Sequence, residues 1–314
     1  MSVPLFDAHC DTISRCARLT SAHFSGTGGQ WDLDRMGECS PAAQFFAIFW
    51  DSARHPGESA RLFQDQYQVF RRELDRLGDR AAFCRSAGEA EAAFRQGKLA
   101  AFLSVEGGEL LDCSLERLEE AHRLGVRAVN LTWNHANALS GSHCDQPERG
   151  LSPLGKNFVD RMEELGMLID LSHLSDPGIW DVLERSAGPV LASHSNSRAV
   201  CSHTRNLTDG QMAVIIEKHG VIGLNLYDAF LNRGKATEDS AVAQIEHIWA
   251  LGGRKSLALG GDWDGGITGP AGYEGVWDWA RLYERLLRDN VPEGLIQDLF
   301  FNNMMRIVSE VCTM

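Results

Sequence analysis

Near its N-terminus the chain reads Leu5-Phe-Asp-Ala-His-Cys-Asp-Thr12, an apolar, strand-like run that ends in two potential metal ligands, His9 and Asp11. Side chains two residues apart on a strand share one face, so both ligands can point the same way while Cys10 points to the other face. The pair alone also fits an ordinary strand end with a buried, hydrogen-bonded histidine. The rest of the chain is needed to distinguish this structural role from a metal site.

Three further apolar runs end in a polar residue of the same kind. They are Phe102-Leu-Ser-Val-Glu-Gly-Gly108 with Glu106, Leu168-Ile-Asp-Leu-Ser-His173, and Val190-Leu-Ala-Ser-His194. In a barrel of parallel strands the carboxyl ends meet at one face, so such a fold gathers ligands from distant parts of its chain. Three imidazoles and two carboxylates suit a two-metal hydrolytic centre, and a glutamate such as Glu106 can bridge two ions with one oxygen to each. Taken singly, each histidine also fits a satisfied core residue, and Glu106 also fits a salt bridge at the barrel rim.

Strand-like and helical patterns alternate along the whole chain, which is typical of parallel βαβ units. We therefore predict one (β/α)8 TIM-barrel domain over residues 1–314, with an extended β1–β2 connection (13–41), a long loop (134–152) and a C-terminal helix (292–314). Ser152-Pro153, Asp176-Pro177 and the Thr208–Gln211 capping box mark helix starts. The predicted strands are 4–9, 42–50, 99–105, 126–132, 167–172, 189–193, 220–226 and 257–261, and the predicted helices are 59–77, 115–124, 154–165, 177–186, 209–218, 241–251 and 275–288.

The composition is that of a water-soluble globular protein, with 44% hydrophobic and 23% charged residues. A formal net charge of −13 disfavours binding to nucleic acid and to anionic membranes. No apolar run is long enough to span a bilayer, and the first residues lack the features of an export signal. We therefore expect a cytoplasmic protein, whose eight scattered cysteines are reduced thiols.

Two later segments carry further candidates for the site. Asp262 and Asp264 lie in Leu259-Gly-Gly-Asp-Trp-Asp-Gly-Gly266 after the last predicted strand. Asp262 comes first after the strand and is our candidate for the proton shuttle, while a turn role fits at least one of the two. Arg205, on the loop after the sixth strand, can grip a substrate carboxylate in bidentate fashion, although a surface salt bridge is the commoner role of an isolated arginine.

Together these motifs resemble the membrane (renal) dipeptidase family, the M19 metallopeptidases of the amidohydrolase superfamily. The resemblance covers almost the whole chain. It rests on His9-Cys-Asp11, Ser104-Val-Glu-Gly-Gly108, Asp170-Leu-Ser-His173, Ala192-Ser-His194-Ser, His203-Thr-Arg205-Asn and Gly261-Asp-Trp-Asp-Gly265.

The resemblance implies a homodimer that hydrolyses dipeptides with two zinc ions per chain. His9, Asp11 and Glu106 would hold one ion, and Glu106, His173 and His194 would hold the other. Tyr227 resembles a tyrosine that family members place near the substrate. Mammalian members carry a substrate-binding histidine directly after Leu-Thr on strand four, where this chain has Trp133, so either His135 takes that role or the role is lost.

We therefore expect a dinuclear zinc dipeptidase in which a metal-bridging hydroxide attacks the scissile carbonyl. Asp262 relays a proton to the leaving amine, and Arg205 binds the free carboxylate. In one alternative the metal centre is the same but the enzyme cleaves a different bond. It would then be an N-acyl amino acid deacylase or a lactonase acting on a small carboxylate-bearing substrate. A second alternative is a non-catalytic metal-binding relative, against which the complete ligand set argues.

Overall fold

A computed structural model describes residues 2–37 and 39–313 of the chain. Within these residues all strand pairs of the sheet are parallel. The strands are β1 (Val3–Cys10), β2 (Cys39–Phe49), β3 (Ala81–Phe83), β4 (Leu99–Glu106), β5 (Val126–Asn130), β6 (Leu168–Asp170), β7 (Leu191–Ala192), β8 (Val221–Leu224) and β9 (Leu257–Leu259).

Helices separate most of these strands. None of the described helices combines the length and the apolar character needed to cross a bilayer. The α-helices are α1 (Thr12–Arg18), α2 (Ser59–Leu77), α3 (Ala87–Phe94), α4 (Leu115–Leu124), α5 (Pro153–Glu164), α6 (Asp176–Arg185), α7 (Asp209–Glu217), α8 (Asp228–Leu231), α9 (Glu238–Ala250), α10 (Trp279–Arg288), α11 (Glu293–Gln297) and α12 (Asn303–Val311).

Eight of the strands close into a barrel. Strand β2 pairs with β1 on one side and with β4 on the other, and the ring continues from β1 through β9, β8, β7, β6 and β5 to β4. The short strand β3 pairs with β4 outside this ring. The predicted (β/α)8 TIM barrel is therefore confirmed. The extra strand, β3, has only three residues, which is too short for a strand to be recognised from the periodicity of the sequence.

The buried apolar side chains form two clusters, one inside the barrel and one between the barrel and the helices. The rings of Phe6, Phe45 and Phe102 stack in the inner cluster, with centroids 5.0–5.9 Å apart. Met304 and Ile307 of α12 belong to the same cluster, so the C-terminal helix packs against the interior side chains. The barrel is thus a filled core, which holds the carboxyl ends of the strands in fixed positions.

Two helix starts follow the predicted capping chemistry, and a third is shifted by one residue. Ser152 accepts a hydrogen bond from the backbone N–H of Gly155, and Thr208 forms the predicted box with Gln211. The predicted cap at Asp176 is wrong, because Ser175 caps α6 instead. The Asp176 carboxylate pairs with Arg198, 2.7 Å away, so it links the first turn of α6 to the loop after β7.

The remaining differences lie in the segments between the predicted elements. The predicted connection 13–41 contains α1, and the chain also forms α3 and the single turn α8, which are too short for a helical period to be read. The predicted C-terminal helix consists of α11, a π-helical turn (Asp298–Asn302) and α12. These segments lie outside β1, β4, β6 and β7, at whose ends the candidate ligands lie.

Candidate metal centre

Five side chains with metal-ligating atoms meet at the carboxyl-end face of the barrel, and all five are buried. His9 and Asp11 lie at the end of β1, Glu106 is the last residue of β4, and His173 and His194 lie two or three residues beyond β6 and β7. Their ligand atoms form two groups, each with members within 4.8 Å of one another: His9–Asp11–Glu106 and Glu106–His173–His194. The structure thus brings together every ligand that the sequence predicts.

Glu106 belongs to both groups through different oxygen atoms. Its Oε2 lies 3.7 Å from Nε2 of His9, while its Oε1 lies 2.8 Å from Nε2 of His173 and 3.5 Å from Nε2 of His194. On the first side, Oδ2 of Asp11 lies 3.7 Å from the same His9 nitrogen. One carboxylate that offers an oxygen to each of two ligand sets is the arrangement that a bridging ligand needs.

Burial and close charges shift the pKa values of several groups in this cluster. Burial lowers the pKa of His9, but the carboxylates of Glu106, Asp11 and Asp262 outweigh it and raise that pKa to about 10. Burial also raises the pKa of Glu106 well above its usual range and that of Asp262 to about 6. Buried carboxylates this close together are costly unless positive charge neutralises them.

The unpaired atoms of the cluster fit bound cations. Nε2 of His9 and Oδ1 of Asp11 are buried without a hydrogen-bond partner among the described residues. Nε2 of His173 and Nε2 of His194 face each other at 3.0 Å. Burial holds the pKa of both these imidazoles well below its usual range, so they are neutral and each has a lone pair to offer. Imidazole nitrogen and carboxylate oxygen are the donors that zinc accepts.

Asn134 fixes the proton position on one of these rings. Its Oδ1 lies 3.0 Å from Nδ1 of His173 and 3.0 Å from Nε2 of His143. Because an amide oxygen only accepts, both ring nitrogens must donate. His173 therefore carries its proton on Nδ1 and presents the lone pair of Nε2 to the cluster, which is the tautomer that a metal ligand requires.

A buried aspartate positions the two loops that carry His173 and His194. Oδ1 of Asp170 accepts hydrogen bonds from the backbone N–H groups of Ser172 and Ser193, both at 3.0 Å. His173 has a φ of 75°, a conformation that L-residues rarely adopt and that is enriched at functional sites. Asp170 thus ties the ends of β6 and β7 together and holds their loops in this geometry.

Asp7, on the other side of the barrel, also holds two chain segments together through hydrogen bonds to its buried carboxylate. Its carboxylate accepts hydrogen bonds from the backbone N–H groups of His9 and Gly261 and from the indole N–H groups of Trp263 and Trp279. These contacts join the end of β1 to the loop that follows β9. Sequence reasoning missed Asp7, because a carboxylate inside an apolar run gives no sign of which backbone groups it will meet.

The two aspartates after β9 have different surroundings. Oδ1 of Asp262 lies 3.9 Å from Nε2 of His9, and Asp262 forms a third potential ligand group with His9 and His194. Asp264 instead accepts hydrogen bonds from Thr12 Oγ1 (2.9 Å) and from the backbone N–H of Gln30 (2.8 Å). The structure therefore places Asp262 at the cluster and Asp264 in the packing between loops.

Arg205 is buried, with only 3% of its surface exposed. Its Nη1 donates to Ser195 Oγ at 2.8 Å, whereas Nε and Nη2 have no partner among the described residues. Nε and Nη2 lie on one edge of the guanidinium plane, the edge that pairs with both oxygens of a carboxylate. Burial lowers the pKa of Arg205 to about 10, so the group keeps its charge at neutral pH.

A cavity of about 280 Å³ opens above the cluster. His143, on the long loop 134–152, faces this cavity, and its Nδ1 lies 3.0 Å from Thr204 Oγ1 beside Arg205. Burial and the Arg205 charge lower the pKa of His143 to about 3, so this imidazole is neutral. The lining residues are Asp11, Phe49, Glu106, Trp133, Asn134, His143, His173, His203, Tyr227, Phe230, Asp262, Gly265 and Ile267.

Two of the predicted substrate-binding residues have different placements. Tyr227 lines the cavity, and its ring packs against Phe230 with centroids 4.8 Å apart. His135 lies outside the cavity lining, with 45% of its side chain exposed and Nε2 3.4 Å from Asp51 Oδ1. The cavity-facing residues of this loop are Asn134 and His143, which the sequence analysis did not single out. The length of the loop was the one signal that pointed to them, since long barrel loops often carry function.

The whole chain matches one protein family. A model of the membrane dipeptidase family, peptidase family M19, matches residues 1–314. An uncharacterised dipeptidase of Schizosaccharomyces pombe is 33% identical over 301 residues, which are 90% of this chain and 72% of that protein. Dipeptidase 3 of Mus musculus is 30% identical over 292 residues, which are 91% of this chain and 58% of the mouse protein.

Solved structures agree with this similarity. A metallopeptidase of Rhodobacter sphaeroides, bound to a phosphinate mimic of the dipeptide L-Ala-D-Ala, has a TM-score of 0.90 and 26% identity over 99% of this chain and 100% of that chain. A structure described as dipeptidase AC, a metallopeptidase of family M19, has a TM-score of 0.92 and 26% identity over the full length of both chains.

Proposed function

This chain belongs to the membrane dipeptidase family, peptidase family M19, and from that premise we propose that it is a dinuclear zinc enzyme that hydrolyses dipeptides. The family is one of metallopeptidases, so the reaction is hydrolysis of a peptide bond and a metal takes part. The observation that carries the finer proposal is Glu106, whose two oxygens serve two separate ligand groups.

The ligand atoms suggest how two ions would be held. His9, Asp11 and Glu106 would bind one, and Glu106, His173 and His194 would bind the other. Bound there, the ions would supply Lewis-acid activation of water and of the scissile carbonyl.

Asp262 is the group that we assign to proton transfer. It lies at the His9 side of the cluster and lines the cavity, where a substrate can reach it. In our proposal its carboxylate takes a proton from the attacking water and returns it to the amide nitrogen as the C–N bond breaks, so that the amine leaves uncharged. Asn225 donates to Oδ2 of Asp262 at 3.2 Å and holds the carboxylate in this position.

Arg205 defines the length of the substrate in this proposal. The unpaired edge of its guanidinium can take both oxygens of a C-terminal carboxylate. In this proposal one residue lies between the scissile bond, held at the cluster, and the carboxylate held by Arg205. Neutral His143 and Tyr227 lie on the same side of the cavity, where they can contact that C-terminal residue.

The test is a panel of substrates on zinc-reconstituted protein. We expect turnover of free L-L dipeptides, and the panel includes L-Ala-D-Ala because the similar Rhodobacter sphaeroides protein binds a mimic of it. Tripeptides, N-acyl amino acids, lactones and C-amidated dipeptides serve as the comparison set. Faster turnover of an N-acyl amino acid or a lactone than of any dipeptide would contradict the proposal.

Three further properties predicted from the sequence belong to this proposal. They are the homodimer, the cytoplasmic location and the single-domain organisation over residues 1–314, and all three remain predictions. Light scattering of the purified protein at micromolar concentration checks the first. A mass of one chain, 34.7 kDa, would contradict it.

A further inference from the structure

A second cavity, which we call the side cavity, adjoins the one above the candidate metal ligands. Its volume is about 440 Å³, and it shares the wall residues Phe49 and Gly265 with the first cavity. The two cavities therefore lie side by side at the mouth of the barrel. Its lining residues are Arg15, Arg18, Leu19, Phe49, Asp264, Gly265 and Gly266.

This side cavity lies across the barrel mouth from Arg205. It is built from α1, which follows β1, from the end of β2 and from the loop after β9. Arg205 lies beyond β7, and in the ring of strands β6 and β7 stand opposite the neighbours β1 and β2. A dipeptide with its carboxylate on Arg205 and its carbonyl at the cluster would therefore direct its N-terminal residue toward the side cavity.

The side cavity has an excess of positive charge. Its carboxylate, Asp264, is already engaged by Thr12, by backbone N–H groups and by Arg15, whose Nε lies 3.8 Å away. Arg18 is exposed, and no carboxylate of the described residues lies within 4.0 Å of it. Two guanidinium groups against one carboxylate leave one positive charge, and Arg18 is the cation without a carboxylate partner among the described residues.

Arg18 is also held in place, which favours a defined contact. Its Nε and Nη2 donate to the backbone oxygen and to Oγ of Ser14, at 3.2 and 3.0 Å, and its guanidinium lies over the Trp50 ring at 5.8 Å. A guanidinium has five N–H donors, so three remain for a ligand. The side chains of Leu19 and Phe49 provide apolar walls against which an aliphatic stem can pack.

We propose that the side cavity binds the side chain of the N-terminal residue of the dipeptide, and that Arg18 selects a side chain with a short aliphatic stem and a terminal carboxylate. This inference rests on the proposed dipeptidase function. The substrate class is thus dipeptides whose first residue is acidic, with glutamate as the simplest member.

The experiment compares kcat/KM for L-Glu-L-Ala and L-Gln-L-Ala, which differ in charge and hardly in size. We expect the wild-type protein to favour the glutamate peptide about three- to tenfold at low salt, as one rim charge pair allows. Arg18→Gln should bring that ratio to about one, and Arg18→Glu should make L-Lys-L-Ala a better substrate than L-Glu-L-Ala. The matched control is Arg123→Gln, an exposed arginine in the last turn of α4, which should leave the ratio unchanged.

The outcomes separate this inference from the function on which it rests. The wild-type protein could hydrolyse L-Ala-L-Ala but show equal kcat/KM for the glutamate and glutamine peptides. That result would overturn the role of Arg18 and leave the proposed dipeptidase function standing. No turnover of any dipeptide would overturn the proposed function. A glutamate preference that persists in Arg18→Gln would place the selecting charge elsewhere and also contradict the inference.

Discussion

Asp262 and Asp264 are two residues apart but have different surroundings, and we propose separate tasks for them that one pair of substitutions can distinguish. The substitutions are Asp262→Asn and Asp264→Asn, each of which removes a charge and keeps the size of the side chain. Both residues have a positive φ, 61° and 64°, a region in which asparagine is well tolerated. Neither substitution should therefore strain the backbone, and any effect reports the lost carboxylate.

The stability cost of Asp264→Asn follows from its contacts. Oδ1 accepts from the backbone N–H of Gln30, and Oδ2 accepts from Thr12 Oγ1. An amide group can keep one of these two bonds and leaves the other donor unpaired in a buried setting. An unpaired buried donor costs about 1–3 kcal/mol, which lowers Tm by about 2–5 °C for a chain of this length.

The cost of Asp262→Asn falls on catalysis instead. Asp262 receives one side-chain hydrogen bond, from Asn225, and an amide oxygen can still accept it. An amide cannot accept and return a proton, and loss of a general acid–base lowers the rate about 10²–10⁴-fold. We therefore expect Asp262→Asn to lose at least about a hundredfold in kcat and to keep its Tm and both metal ions.

Three measurements on the two variants check this assignment: kcat on one dipeptide, metal content by elemental analysis, and Tm by calorimetry. A folded, fully metallated Asp264→Asn without activity, beside an active Asp262→Asn, would reverse the two roles. Loss of metal from Asp262→Asn would instead make Asp262 a ligand, which its group with His9 and His194 also permits.

Three further predictions concern the residues around the cluster. Amidating a dipeptide should lower kcat/KM about ten- to hundredfold through the lost contact with Arg205, and Arg205→Lys should be impaired as well; equal rates on free and amidated dipeptides would remove Arg205 from the site. Glu106→Gln should weaken binding of both metal ions, whereas His9→Ala should mainly weaken one; metal titrations in which Glu106→Gln loses a single ion would argue against bridging. Asn134→Ala should lower zinc affinity about 10–100-fold because the His173 tautomer is no longer fixed, and unchanged affinity by competition with a chelator would contradict this.

The barrel and the convergence of the five candidate ligands could be predicted from sequence because both follow from local patterns. A buried parallel strand is a short apolar run, and a polar residue at its end must emerge at the carboxyl-end face. Glu106 and His194 illustrate this, because no buried partner could satisfy them inside a core of apolar side chains. The side-chain alternation that pairs His9 with Asp11 is equally local.

Other features depend on contacts between distant segments and left little trace in the sequence. His143 reaches the cavity because the loop 134–152 folds back over β6, where the backbone N–H of His143 donates to the carbonyl oxygen of His173. The sequence offered His135 as a candidate because it lies close to Leu131-Thr132, but in the structure it pairs with Asp51 at 3.4 Å. Spacing along a loop does not determine which side chain faces the site, because loop geometry is set by such long-range hydrogen bonds.

The central claim is that two ions act together through Glu106, and a zinc titration of the metal-free protein tests it most directly. Hydrolysis of L-Ala-L-Ala is followed as Zn²⁺ is added to a known concentration of chains. The two ligand groups predict that activity rises until two equivalents are bound and then stays constant. Full activity at one equivalent, or activity that does not depend on added metal, would contradict the dinuclear account.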